Sequence, residues 1–298
     1  TRVAVMMPNV LQYPVVALGI FRAGLVLVNV NPLYTSRELE HQLNDSGSEV
    51  LVIIENFATV YQAIIGKTPV KHVVVASVGD MLGALKGTLV NFVLRSVRKQ
   101  IPAWNIPGHI RFNAAMSKVN PSNYKRPNLT LSDTAVLQYT GGTTGVSKGA
   151  ELTHRNLVAN MLQCDGIFQS KFGAQDGQPD DRIFCALPLY HIFAFMVCAL
   201  YGMYKGQANV LIPNPRDLPA VMKELRKVVR NYFKQSIENN ANIISPSLHH
   251  LLRASDIEVD VKCTDWKDAI RKSAKQLVEQ GYIEDRYVDA MIESVNEY

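Results

Sequence analysis

The 298-residue sequence predicts an α/β fold built on a doubly wound, mostly parallel sheet, followed by a small α/β or mainly helical C-terminal segment. Three observations carry this expectation. Short β-rich apolar runs alternate with helical patterns in the order βαβαβ, which calls for right-handed crossovers. The runs are continuous rather than alternating, as expected of parallel strands buried on both faces. The composition, 47% hydrophobic and 19% charged, supplies a sizeable core and excludes a disordered, acidic or collagenous chain.

The elements follow in order. VAVMM (3–7) is a strand, and LQYPVVALGIFRAG (11–24) is a helix ending at Gly24. LVLVNV (25–30) is a strand, and Thr35 with Glu38 forms a capping box that opens a helix ending near Gly47. VLVII (50–54) and KHVVVAS (71–77) are strands with a helix between them. Residues 100–132 are rich in Pro and Asn and read as a long irregular excursion. TAVLQYT (134–140) is again a strand, followed by a Gly/Thr loop and a helix capped by Thr153 and running through Met161. RIFCALP (182–188) and ANVLIP (208–213) are strands flanking an apolar helix at 191–204, and Asp217 caps a further helix. Residues 183–204 carry no charge, yet Pro188 and His191 interrupt them, and the 14 residues after the break suit a buried helix better than a membrane span. No charged leader with a short apolar core precedes the first strand, so no signal peptide is expected, and the chain is expected to start inside a larger fold.

Four cysteines (Cys164, Cys185, Cys198, Cys263) lie far apart without a CxxC pair. This argues against a disulfide scaffold or zinc ribbon and for reduced thiols in the cytoplasm. The net charge of +5 is uneven, because residues 228–298 hold more acids than bases and the rest of the chain carries the basic excess. Between Asp80 and Asp133 there is no acid, but there are eight cations, including Lys86, Arg95, Arg98 and Lys99. Within that stretch, residues 81–100 place Leu82, Leu85, Leu89, Phe92, Val93 and Val97 at near-helical spacing. The segment is either an ordinary surface helix with a solvated basic face or an element that lies on an anionic membrane surface, peripheral on the inner face of the plasma membrane. It lacks interleaved stacking aromatics, and no groove-reading motif is visible, so nucleic acid is not an expected partner.

The most informative segment is Tyr139-Thr-Gly-Gly-Thr-Thr-Gly-Val-Ser-Lys148-Gly149, placed between a strand and a helix. Its glycines permit positive φ and close approach of a ligand, successive N–H groups in such turns form an anion nest, and the hydroxyls and Lys148 add donors. All of this suits a triphosphate. The Walker A order is absent, because Lys148 follows Ser147 and precedes Gly149.

YTGGTTGVSKGAELTHRN (139–156) resembles the phosphate-binding signature of the AMP-forming acyl-adenylate family. Its flanks, 6–47, ALPLYHIFAF (186–195) and IPNPRD (212–217), resemble bacterial long-chain fatty acyl-CoA synthetases, over roughly 1–227. The resemblance implies the large domain of such an enzyme and a reaction with a long-chain fatty acid, ATP, Mg²⁺ and coenzyme A as co-substrate. It implies that Tyr139, Thr140, Gly141, Gly142, Thr143, Thr144, Gly145, Val146, Ser147, Lys148, Gly149 and Ala150 hold the β- and γ-phosphates. Tyr190 and His191 match the family's aromatic–His element near the reacting carboxylate, and Ile192, Phe193, Phe195 and Met196 would help to wall the acyl site. Read without the family, His191 is equally a satisfied core histidine. The metal ligands and the oligomeric state are left open, a dimer included.

After about Lys227 the pattern departs from that family: its Tyr-Gly-x-Thr-Glu and Thr-Gly-Asp elements do not occur. Residues 228–247 are a junction, and 248–298 resemble the start of a phosphotransferase-system enzyme IIA domain of the mannitol/ascorbate type. In this stretch IEVDV is a strand and Asp265 caps a helix ending at Gly281, with a second amphipathic helix after it. In that family the phosphorylated His lies in a Pro-His element, and neither His249 nor His250 is that residue. The competing readings are therefore a sugar phosphocarrier fragment and a non-enzymatic lipid-binding module.

Overall fold

A computed structural model describes residues 1–118, 120–142, 145–172, 182–217, 219, 221–227, 264–279, 286, 288, 289 and 292. The chain divides into two compact units, Thr1–Asn239 and Asn240–Tyr298.

The first unit is built on a seven-stranded sheet of order β5-β4-β3-β1-β2-β6-β7. Its strands are β1 (Arg2–Met6), β2 (Val26–Val30), β3 (Val50–Ile54), β4 (His72–Ala76), β5 (Ile110–Arg111), β6 (Thr134–Gly142) and β7 (Gly145–Thr153). Every pairing is parallel except β6 with β7. β1 is central, and the chain winds outward from it in both directions, so the sheet is doubly wound.

The helices lie on both faces. They are α1 (Gln12–Arg22), α2 (Ser36–Ser46), α3 (Ala58–Gln62), α4 (Ala84–Phe92), α5 (Phe112–Ser117) and α6 (His154–Phe172). Side-chain direction alternates along a strand, and the core divides accordingly. Val3 and Val5 of β1 join Tyr13, Ala17, Ile20, Leu157 and Phe195 on one face. Ala4 and Met6 join Leu39, Leu43 and Tyr61 on the other. This two-sided burial is why the strands read as unbroken apolar runs.

β8 (Arg182–Cys185) and β9 (Ala208–Leu211) form a separate two-stranded parallel sheet. Between them α7 (Ile192–Ala194) continues through a π-helical stretch, Phe195–Tyr201, into α8 (Gly202–Tyr204). The uncharged run 183–204 is thus a strand, a bend and a helix. No helix among the described residues is long and apolar enough to cross a membrane.

Several sequence expectations are corrected. The Gly/Thr segment is not a loop at a strand–helix junction; its second half is β7, which folds back on β6 as a hairpin. The next helix runs past Met161 to Phe172, because Asp165, buried in its middle, is tied to Lys205 at 3.2 Å and to the Tyr201 hydroxyl at 3.3 Å. The excursion 100–132 contains the edge strand β5 and the helix α5. Arg95 is exposed, but its charge is paired. Its guanidinium lies 2.8 Å from both oxygens of buried Glu55 and 3.0 Å from the Ser77 hydroxyl.

In the second unit, α9 (Trp266–Glu279) begins as the sequence suggests, with the Asp268 N–H donating to Asp265 Oδ1 at 2.8 Å. Ala274 of α9 is buried with Val288 and Ile292. The expected strand IEVDV and both histidines of 249–250 lie outside the described residues.

Candidate functional site

The C-terminal ends of β2 and β6 open into a cleft of about 290 Å³ lined by Asn29, Asn31, Tyr34, Gln138, Tyr139, Thr140, Tyr190, His191 and Ile192. Parallel α/β sheets bind ligands at this edge, beyond the carboxyl ends of their strands. Tyr139 and Thr140 come from the root of the Gly/Thr hairpin, and Tyr190 and His191 from the bend before α7. The structure therefore brings together two sequence elements that lie 50 residues apart.

The hairpin is braced from α2. The Tyr139 hydroxyl donates to Asp45 Oδ2 at 2.5 Å. Burial pushes this phenol well above its ordinary pKa, and the Asp45 carboxylate pushes in the same direction. His41 Nε2 donates to the Ser147 carbonyl at 3.2 Å. The Tyr34 phenol, raised by burial, is partly relieved by a hydrogen bond to the Ser147 side chain. Gly149 takes no positive φ. It serves close packing instead, since a Cβ there would lie 2.9 Å from Tyr139 Cζ. The ladder shifts register between Thr140 and Gly142, and such a shift leaves backbone groups of the bulged strand unpaired. Lys148 and Ala150 are exposed and Ser147 is half-buried. Of Gly141, Gly142, Thr143, Thr144, Gly145 and Val146, the backbone of all but Thr143 and Thr144 is described.

Phe195 does not line the cleft. It is buried in the core, with its ring edge-on to Tyr13 at 6.2 Å and tilted against Phe21 at 6.1 Å. Phe193 is 56% exposed and also lies outside the cleft lining. An apolar groove of about 370 Å³ runs elsewhere on the unit, between α1, α6 and α8, and includes Phe21, Leu157, Met161 and Leu200.

The residues that sequence reasoning missed are Asn29, Asn31, Tyr34 and Gln138. A signal for two of them was present: Asn29 and Gln138 are polar residues inside apolar strands, and both are buried. The Asn29 amide donates to Gln138 Oε1 at 3.0 Å. Such pairs are retained where each polar atom finds a partner. The described lining offers amides, phenols, a hydroxyl and an imidazole, but no carboxylate. It forms no hard-oxygen cage for Mg²⁺.

A family model described as AMP-binding enzyme matches residues 1–232. Another, described as phosphoenolpyruvate-dependent sugar phosphotransferase system EIIA 2, matches residues 250–298. A long-chain-fatty-acid–CoA ligase of Escherichia coli O157:H7 is 50% identical over 226 residues, which is 76% of this chain and 40% of that protein. The ligase of Bacillus subtilis strain 168 is 31% identical over 285 residues, 94% of this chain and 48% of that protein, so that alignment runs into the segment matched by the second model. The chain thus spans less than half the length of these relatives. Among solved structures, an anthranilate CoA ligase, AuaEII, in complex with anthranoyl-AMP aligns with TM-score 0.56 and 21% identity over 72% of this chain and 35% of that one. ATP-bound MatB from Rhodopseudomonas palustris aligns with TM-score 0.53 and 24% identity over the same shares. These two likenesses are of fold.

Proposed function

Because this chain belongs to the AMP-binding enzyme family over residues 1–232, we propose that it carries the phosphate-binding and carboxylate-facing part of an AMP-forming long-chain fatty acid–CoA ligase. One observation carries the reading: the root of the Gly/Thr hairpin and the Tyr190–His191 bend share a single cleft. In such a reaction a carboxylate oxygen of the fatty acid attacks the α-phosphorus of ATP. The bond to the β-phosphate breaks, and pyrophosphate departs. The thiol of coenzyme A then displaces AMP from the acyl-adenylate.

A carboxylate must approach a polyanion, so the protein's task is alignment and charge stabilisation. Residues 139–150 would hold the departing phosphates through backbone N–H groups, with Lys148 as a point charge. His191 and Tyr190 would face the reacting carboxylate. Mg²⁺ would arrive with ATP, coordinated by the phosphates, since the lining residues provide no carboxylate for it.

The test is calorimetric titration of the 298-residue chain with MgATP. Lys148→Ala should weaken binding by about 1–3 kcal/mol, the worth of a charge-assisted hydrogen bond. Equal affinity in the two proteins would remove Lys148 from the site.

A second observation supports a peripheral contact with anionic membranes. On 81–100 several apolar residues face solvent: Leu85 is 91% exposed, and Leu89, Phe92 and Val97 are exposed too, as are Lys86, Arg98 and Lys99, whereas Leu82 and Val93 are half-buried. The Arg95–Glu55 bond fastens the segment to the sheet while these other cations stay outside. Each such cation near an anionic surface is worth about 1 kcal/mol. Co-sedimentation with phosphatidylglycerol vesicles should fall with added salt and with Leu85→Asp/Leu89→Asp. Binding indifferent to salt and to anionic lipid would refute the contact. For residues 250–298 the family match and α9 support the opening part of an EIIA-like domain.

A further inference from the structure

We propose that Asn29 and Gln138 are positioning residues for Tyr190 and His191, and that the neutral form of the His191 ring carries its proton on Nε2. The inference rests on the assignment of the cleft as the carboxylate-facing site.

The bend between β8 and α7 has no ladder of its own, so its backbone is held by side chains from elsewhere. The Asn9 amide donates to the Cys185 carbonyl at 3.1 Å and the Leu187 carbonyl at 2.9 Å, and its oxygen accepts from the Leu189 N–H at 2.7 Å. The last link is Gln138, whose Nε2 donates to the Tyr190 carbonyl at 3.1 Å. That carbonyl can only accept, and this fixes the polarity of everything behind it. Gln138 must turn Nε2 outward and Oε1 inward. Oε1 then accepts from Asn29 Nδ2 at 3.0 Å, which leaves Asn29 Oδ1 to accept from the Tyr13 hydroxyl at 2.6 Å. Reversing either amide would set two acceptors or two donors face to face. Asn29 and Gln138 are 3% and 5% exposed, so water cannot replace a lost partner cheaply.

Beyond Tyr190 the direction is set by the helix. His191 is the N-cap of α7, and its Nδ1 accepts from the Phe193 N–H at 3.3 Å. A nitrogen that accepts carries no proton, so the neutral ring holds its proton on Nε2. His191 then offers the cleft a hydrogen-bond donor, suited to a carboxylate or phosphoryl oxygen and unsuited to taking up a proton through Nε2.

The test is nitrogen-15 histidine NMR of the full chain at alkaline pH, with His191 assigned by the signal lost in His191→Asn. A single tautomer protonated on Nε2 is expected; an Nδ1-protonated or averaging ring would overturn the tautomer assignment. Gln138→Met should convert that single tautomer to an averaged one and weaken binding of palmitoyl-sulfamoyl-adenosine about tenfold, the size of one hydrogen bond. An unaltered His191 signal in Gln138→Met would overturn the positioning role. If Gln138→Met does not fold, Asn29→Asp, which keeps the acceptor for Tyr13 and removes the donor to Gln138, gives the same readout. A wild-type chain with the expected tautomer but no affinity for MgATP or palmitoyl-sulfamoyl-adenosine would sink the ligase reading and leave the tautomer standing.

Discussion

Gly79 and Gly87 bring two backbones into contact where α4 meets the 3₁₀ turn Val78–Met81. A Cβ on Gly87 would collide with the Gly79 carbonyl oxygen, which is backbone and cannot swing aside. Alanine would raise the intrinsic helix preference of α4 by up to about 1 kcal/mol. Overpacking a tight contact typically costs about 1–3 kcal/mol, and here it also pulls on the Gly79 N–H, which donates to Asn91 Oδ1 at 2.8 Å. The net expectation for Gly87→Ala is a loss of about 1–2 kcal/mol in urea unfolding. A stabilised protein would mean that α4 does not dock as described. Residue identity alone does not reveal this contact, because Gly87 looks like a mere weak point in a helix until its partner 8 residues away is seen. The same holds for Gly149, which the sequence offers as a phosphate-loop glycine and the structure places beneath the ring of Tyr139.

Among the elements, α2 shows how far local rules reach. Its capping box is complete: the Glu38 N–H donates to Thr35 Oγ1 at 3.4 Å, and the Thr35 N–H donates to Glu38 Oε2 at 2.7 Å. Gly47 closes it in the left-handed conformation, φ +59°. Thr35→Ala should cost about 1 kcal/mol of stability, and because α2 carries His41 and Asp45, it should also loosen the hairpin they brace. Hydrogen bonds from the Thr35 backbone and side chain hold Glu38 below the ordinary glutamate range. A carboxylate depressed in the folded state adds stability above its unfolded pKa and loses it as pH falls through the folded value. The gap between wild type and Thr35→Ala should therefore narrow on acidification through that window; a gap independent of pH there would refute the linkage.

Strands β1 to β4, α1, α2 and the α7–α8 helix were legible because periodicity and caps are local signals. The edge strand β5 was not, since two residues of strand in a Pro-rich stretch gain their state only from pairing with β4. β7 was hidden for a similar reason, as its glycines look like a loop until β6 offers them a ladder. Of the cleft, Tyr139, Thr140, Tyr190 and His191 were legible as motif residues. Asn29 and Gln138 needed the fold, because what marks them is being buried beside each other.

At the scale of the molecule, the question is whether the cleft in this chain can carry a whole reaction. Adenylation requires charge to be neutralised on the α-phosphate as well as on the departing pyrophosphate. The described lining of the cleft holds no Lys, Arg or carboxylate, and Lys148, on the hairpin, is proposed to serve the leaving group. The Tyr-Gly-x-Thr-Glu and Thr-Gly-Asp elements that the family resemblance assigns to AMP and to the ribose do not occur in these 298 residues, and the chain spans 40% of the length of its Escherichia coli relative. Groups that act as a unit in catalysis are strongly non-additive, so one part without the others retains little of the rate. Binding is less demanding, because the hairpin and its brace from α2 belong to one folded unit. The expected behaviour is therefore measurable MgATP binding with little turnover. Hydroxylamine trapping of acyl-adenylate, run with palmitate, ATP and Mg²⁺ beside a full-length ligase, separates the two. Acyl-hydroxamate formed by the 298-residue chain at a rate near that of the full-length enzyme would show that residues 1–298 hold a sufficient catalytic set, with the α-phosphate served by groups outside the cleft lining described above.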